Sequence, residues 1–281
     1  MPLVFLGISA VLNIVLDLVF IINFKMGVEG AAQATVISQY VSGMGITIYA
    51  LLKSTHFRIK RKHLKFDINI VKELANLSIL TALQQSVMNF GILLVQGLVN
   101  SFGTIVMAAF AAAVKIDTLA YSPVQDFGNA VSTFVAQNYG AGKKERIFKS
   151  VRICLAMAVA VCGGIVLFLA IFCLPLFSIF TTDQNVINIG IDMLRFMAPC
   201  YTIYVFIEVL SGALRGTGDV LLPTLITLGG VCLIRIPWIM FVLPAHHTTT
   251  CVMLSYPISW ITTTALIIPY YLYRKNMPTI K

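Results

Sequence analysis

The chain has 281 residues, 58% hydrophobic and only 11% charged, with a mean hydropathy of +0.90, where soluble globular domains carry about one-quarter charged residues. That composition excludes a soluble globular domain and describes an integral membrane protein. The formal net charge of +9 does not call for a nucleic-acid partner, because the basic residues gather in alternate loops and report membrane topology instead.

Apolar runs of about 20 residues or more recur along the whole chain, the length a helix needs to cross the hydrocarbon core. Barrel strands would be about 10 residues long and alternate polar with apolar, a pattern absent here. The expected fold class is therefore all-α, a polytopic membrane protein of about eight helices near 2–24, 29–52, 70–101, 104–138, 147–180, 185–213, 219–244 and 250–273. The third, fourth and fifth exceed about 20 residues, which predicts tilt, kinks or extension beyond the bilayer.

The first helix carries LNIVLDLVF (12–20), with Asn13 and Asp17 one turn apart on the same face. An ionised carboxylate mid-span costs about 2.5 kcal/mol or more to insert, so Asp17 is expected to face a partner, a cation or water. Thr35, at comparable depth in the second helix, adds a hydroxyl. Carboxylate, amide and hydroxyl oxygens are hard ligands suited to Na⁺, or to a cage that tunes a proton site. Their other possible role is to hydrogen-bond neighbouring helices together.

The second helix ends in a basic stretch, RIKRKHLK (58–65), within a linker read as 54–69. In the fourth helix, Pro123 with Gly128 close behind predicts a bend. GALRGTGD (212–219) places Arg215 at a turn, where Gly216 and Gly218 permit left-handed backbone and Asp219 can cap the next helix. Arg235, near the outer end of the seventh helix, is expected to snorkel or to bind a carbonyl. The six cysteines form no CxxC pair and have no histidine at ligand spacing, which indicates neither a metal site nor a disulfide framework.

Sixteen Lys and Arg residues flank the second, fourth and sixth connections and the tail, against Lys25 alone in the other four. The positive-inside rule then predicts that both termini are cytoplasmic. No HExxH, GxSxG or clustered histidine is present, so an enzyme is not expected and neither is a cofactor. Met1 leads directly into an apolar helix without a basic leader, so no cleavable signal peptide is expected.

Internal similarity adds organisation. LGISAVLNIVLDLVF (6–20) aligns with LGGVCLIRIPWIMFV (228–242), which sets Asn13 over Arg235, and ISQYVSGMGITIYALLK (37–53) aligns with ISWITTTALIIPYYLYRK (258–275). Both offsets are about 220 residues, as in a parallel repeat about an axis along the membrane normal. On this reading residues 1–53 are the last two helices of one six-helix repeat and 70–281 are a whole second repeat.

LNIVLDLVF, GVEGAAQATVIS (27–38), FGNAVSTFVAQNYGAGKKER (127–146) and GALRGTGDVLLPT (212–224) together resemble the multidrug and toxic compound extrusion (MATE) family. The resemblance implies a two-lobed transporter truncated at its N-terminus, with 1–53 from the N-lobe, 54–69 a cytoplasmic linker and 70–281 the six-helix C-lobe. It implies export of small organic, mainly cationic, compounds in exchange for H⁺ or Na⁺, from a bacterial inner (plasma) membrane, by a protein monomeric when full length. A lipid-linked oligosaccharide flippase of the same superfamily, or a fragment that transports nothing, are the alternatives.

Residue by residue, Asn13, Asp17 and Thr35 match the family's N-lobe cation or proton site, which makes Na⁺ there the one metal expected. The C-lobe departs from the sodium-coupled pattern: the positions of its two carboxylates fall on Met88 and Tyr204. Glu208, one turn from Tyr204, is a possible substitute, a cytoplasmic-side gate or ordinary surface. Lys115 and Asp117 either line the C-lobe cavity or neutralise charge, and as near neighbours on a helix they are expected to meet different partners.

Overall fold

The computed structural model describes residues 2–53, 67–243, 245 and 248–276, and every regular element among them is helical. Helix α1 (Pro2–Leu18) runs into a π-helical turn at Val19–Asn23, and α2 spans Gly27–Lys53. Helices α3 (Ile68–Val99), α4 (Thr104–Gly140) and α5 (Lys144–Phe180) follow. After them come α6 (Gln184–Met197), α7 (Tyr201–Gly216), α8 (Leu221–Gly230) and α9 (Thr249–Asn276). Eight stretches of the described residues are long and apolar enough to cross a membrane, as the sequence predicts, from 21 residues (Leu3–Asn23) to 37 (Thr104–Gly140 and Lys144–Phe180). The basic stretch 58–65 lies outside the described residues.

Several expected spans are not single α-helices along their whole length. Pro199 has no N–H to continue the ladder, and its ring opposes the carbonyl four residues back. The chain therefore passes from α6 to α7 through a 3₁₀ turn at Ala198–Cys200. Beyond α8 the span widens into π-helical turns at Val231–Arg235 and Trp238–Val242, the kind of bulge found at functional positions. Pro123, by contrast, sits inside α4, which stays helical on both sides of it.

The chain divides into two compact units, Met1–Ile68 and Asn69–Lys281. In the first, α1 and α2 form a hairpin that reverses through Lys25 and Gly27, both with positive φ (54° and 59°). The Ser9 hydroxyl donates to the Ser38 carbonyl at 2.8 Å, and the ring of Phe5 lies where a Cβ on Gly45 would stand, 2.6 Å away. Leu3, Val11 and Ile14 of α1 are exposed and apolar.

In the second unit α4 and α7 form the centre, packed by α5, α6 and α9. Lipid tails are as apolar as leucine, so membrane helices associate through close packing, which small residues permit. The α4–α7 contact is of this kind. A Cβ on Gly212 would stand 2.3 Å from the Gly128 carbonyl oxygen, and one on Gly216 would stand 2.5 Å from the Ser132 oxygen. This corrects the expectation for Gly216: it is helical, and close approach of backbone requires it. Gly218 alone of that pair has left-handed backbone (φ 86°). Asp219 also departs from its expected capping role. Its carboxylate accepts from the Tyr270 hydroxyl and pairs with Arg274 Nε at 2.9 Å, tying the turn after α7 to the end of α9.

Candidate functional site

A cleft of about 80 Å³ opens within the second unit, between α3, α4, α7, α9 and the span that begins with α8. Its wall is a continuous run of aromatic rings. Tyr121 from α4 stacks on Tyr204 from α7 at 4.8 Å between centroids, Tyr204 leans on Trp260 of α9 at 5.5 Å, and Trp260 meets Tyr256 edge-on at 6.0 Å. Tyr256 and Trp260 are four apart, so one face of α9 presents both.

Polar groups complete the lining. Tyr204 donates from its hydroxyl to Glu208 Oε1 at 2.6 Å, and Arg215 Nη2 stands 3.8 Å from Glu208 Oε2. A Cβ on Gly128 would stand 3.2 Å from that same oxygen, so the bare glycine leaves room for the carboxylate. Gln84 of α3 is bonded at both ends of its amide. Its nitrogen donates to Thr227 Oγ1 at 3.0 Å, and its oxygen accepts from Thr224 Oγ1 at 3.1 Å. Arg235 is only 5% exposed. It donates from Nη2 to Ser259 Oγ at 2.9 Å and lies over the Tyr256 ring, 4.2 Å from its centroid. The expected snorkelling therefore does not occur: the π-helical turn carries Arg235 and α9 receives it.

Of the four expected cavity residues, Tyr204 and Glu208 line the cleft. Glu208 is thus not ordinary surface, with a side chain 14% exposed. Asp117 is not part of the lining and sits behind it, accepting from the Tyr201 hydroxyl, and Tyr201 in turn packs on Trp260 at 5.9 Å. Lys115 is exposed and outside the lining. The reason is rotation along α4: at about 100° per residue, Asp117 is close to Tyr121 in angle while Lys115 points about 120° away. Asp117 thus meets Tyr201 of α7. Replacing Tyr204 by Phe keeps the ring stack and removes one bond to a carboxylate, which should cost about 1.5–3 kcal/mol. A drop in the thermal midpoint in detergent checks this, and an unchanged midpoint would show that the bond is dispensable.

In the first unit the three expected residues come together in part. Asn13 Nδ2 reaches Thr35 Oγ1 at 3.5 Å, and Thr35 donates to the Ala31 carbonyl at 2.9 Å. Asp17 Oδ1 is buried with no hydrogen-bond partner among the described residues. A buried carboxylate oxygen left bare inside a membrane span fits a cation or a proton, and the neighbouring amide and hydroxyl oxygens fit the same hard chemistry.

Gln84, Ser211 and Arg235 entered the cleft without being expected there. A mid-span amide in QQSV (84–87) and an arginine in LIRIP (233–237) are signals of intramembrane polarity. Periodicity alone could not say which face of α3 or of the π-helical turn would turn inward.

Bundled apolar spans around a polar, aromatic-walled cleft define a polytopic membrane protein. The MatE family model matches residues 79–241, and the chain belongs to the MATE family. It is 29% identical over 242 residues to the probable multidrug resistance protein NorM of Thermotoga maritima, an alignment covering 84% of this chain and 52% of that protein. It is 27% identical over 281 residues to the probable multidrug resistance protein YoeA of Bacillus subtilis, covering 96% and 60%. The chain therefore spans about half to three-fifths of the length of these relatives. In fold it is similar to a MOP superfamily transporter from Pyrococcus furiosus, with a TM-score of 0.86 at 19% identity, covering 97% of this chain and 62% of that one.

Proposed function

We propose that the protein is a secondary active exporter of small organic compounds, organic cations foremost, driven by H⁺ or Na⁺ moving in the opposite direction. The relatives named as probable multidrug resistance proteins support export. The observation that carries the coupling is the bare, buried Asp17 Oδ1 beside the Asn13–Thr35 contact. Protonation or Na⁺ binding there removes or balances a charge that is costly in lipid, and it biases the protein between inward- and outward-facing states only if the two states differ in cation affinity. Glu208 lines the cleft that would receive the cargo. On this reading the protein is a monomer in a bacterial inner membrane, and the distribution of Lys and Arg supports both termini being cytoplasmic.

The test is efflux of a preloaded fluorescent cationic dye from a host lacking its own exporters. Expression should speed efflux several-fold, and collapse of either the proton or the sodium gradient should return it to the rate of the empty host. Efflux no faster than in that host, or fast efflux that survives collapse of both gradients, would overturn the proposal.

A further inference from the structure

The ionisable groups of the cleft do not balance one another. Glu208 is engaged twice, by the Tyr204 hydroxyl at 2.6 Å and by Arg215 at 3.8 Å. Arg235 has no carboxylate within 4 Å among the described residues. Its neighbours are a hydroxyl, Ser259, and the face of Tyr256, and neither carries a compensating charge. Its Nε is buried and has no acceptor. Ser211 Oγ, which lines the same cleft, is likewise buried without a partner. Two polar atoms able to donate thus stand unfilled in one cleft, one of them on a guanidinium that is 5% exposed.

A cation so placed in a membrane span is retained when something anionic meets it. Carboxylates and phosphates match the planar guanidinium fork, which binds them through paired N–H groups. The cleft, at about 80 Å³, is smaller than the roughly 300 Å³ of the smallest drug-sized pockets, so it suits one functional group and the adjoining ring. Tyr121, which lines the cleft and is only partly buried, offers that ring an aromatic contact.

We propose that Arg235 anchors an anionic group, a carboxylate or a phosphate monoester, borne by an aromatic cargo, with Ser211 Oγ as a second donor. The cargo class thereby extends beyond organic cations to aromatic anions. The proposal builds on the export function above, which supplies the reason for a cargo to enter this cleft.

Binding is measured on the chain in phosphatidylcholine nanodiscs by isothermal titration with 2-naphthoate, 2-naphthyl phosphate and the neutral 2-naphthalenemethanol, with empty nanodiscs subtracted. One of the two anions should bind at least tenfold more tightly than the alcohol. Arg235→Gln should abolish that preference and Arg235→Lys should retain part of it. Equal binding of anion and alcohol, or a preference unchanged in Arg235→Gln, overturns the proposal. Should Arg235→Gln not fold, displacement of naphthoate from the unaltered chain by inorganic phosphate and not by tetramethylammonium supports it, and the reverse order overturns it. Native mass spectrometry from nanodiscs containing phosphatidylglycerol separates a lipid source. Arg235-dependent retention of that lipid without naphthoate binding assigns the residue to a headgroup and overturns a cargo role. These readouts need no ion gradient, so anion binding without gradient-driven efflux would sink the export function and leave the anchor, and efflux without anion binding would do the opposite.

Discussion

Asp17→Asn should reduce gradient-driven export at least tenfold while leaving the protein as stable as before. The two halves of that result come from different physics. A tenfold loss corresponds to about 1.4 kcal/mol of lost coupling, a small part of what a single ionisable group contributes when it is charged in one facing state and neutral in the other. Asparagine has nearly the shape of aspartate and hydrogen-bonds as well, yet it neither takes up a proton nor balances Na⁺. If Asp17 only held α1 to a neighbour by hydrogen bonding, asparagine would serve and export would persist. Stability should not fall, because the Asp17 carboxylate has a buried oxygen with no partner, and a charge mid-span costs about 2.5 kcal/mol or more. Dye efflux and the thermal midpoint, measured on the same preparation, check both halves. Unaltered efflux, with its ion dependence intact, would remove Asp17 from the coupling site.

Gly216→Val should destabilise the second unit by about 3 kcal/mol. The added Cβ would lie 2.5 Å from the Ser132 carbonyl oxygen and 2.8 Å from the Val135 Cβ, distances that flexible side chains cannot relieve because the first is backbone. The helices must separate, and α4 and α7 are the centre around which the cleft is built, since Tyr121 and Tyr204 stack across them. Overpacking of this kind costs about 1–3 kcal/mol and more when backbone is displaced. The matched control is Gly163→Ala on α5, where a Cβ meets nothing within 4 Å and removing a helical glycine should add about 0.5–1 kcal/mol. Thermal midpoints of both variants in one detergent decide the matter: a loss for Gly216→Val no larger than about 1 kcal/mol would mean that the two helices part easily.

Much of the architecture was legible in the chain because it depends on one-dimensional quantities. Span length and apolarity are fixed by bilayer thickness, so seven of the eight spans fall within a few residues of where hydropathy puts them, and the third, expected from 70, begins at Thr81. LNIVLDLVF, GVEGAAQATVIS, FGNAVSTFVAQNYGAGKKER and GALRGTGDVLLPT together pointed to the family, and the aspartate in the first of them stood out because lipid makes an ionisable residue within a span costly. Within LNIVLDLVF the Asn13–Asp17 spacing was readable too, since one turn of helix is a local property.

What the chain could not reveal was which side of each helix looks inward. Lys115 and Asp117 are two residues apart and read alike, yet Asp117 is packed behind the cleft and Lys115 is exposed. Gly216 looked like a turn glycine from its neighbours, and only the Ser132 carbonyl across the helix pair reveals it as a packing position. Arg235 seemed destined for the membrane surface until the π-helical turn and α9 enclosed it against Tyr256 and Ser259. By itself the sequence determined a bundle of membrane helices, their number and the polar residues they carry, because lipid imposes those terms on every segment separately. Which polar residues meet, and which stay unpaired in a shared cleft, was decided only by tertiary packing, because helix rotation and close approach depend on partners more than a hundred residues away, as Gln84 and Thr227 show.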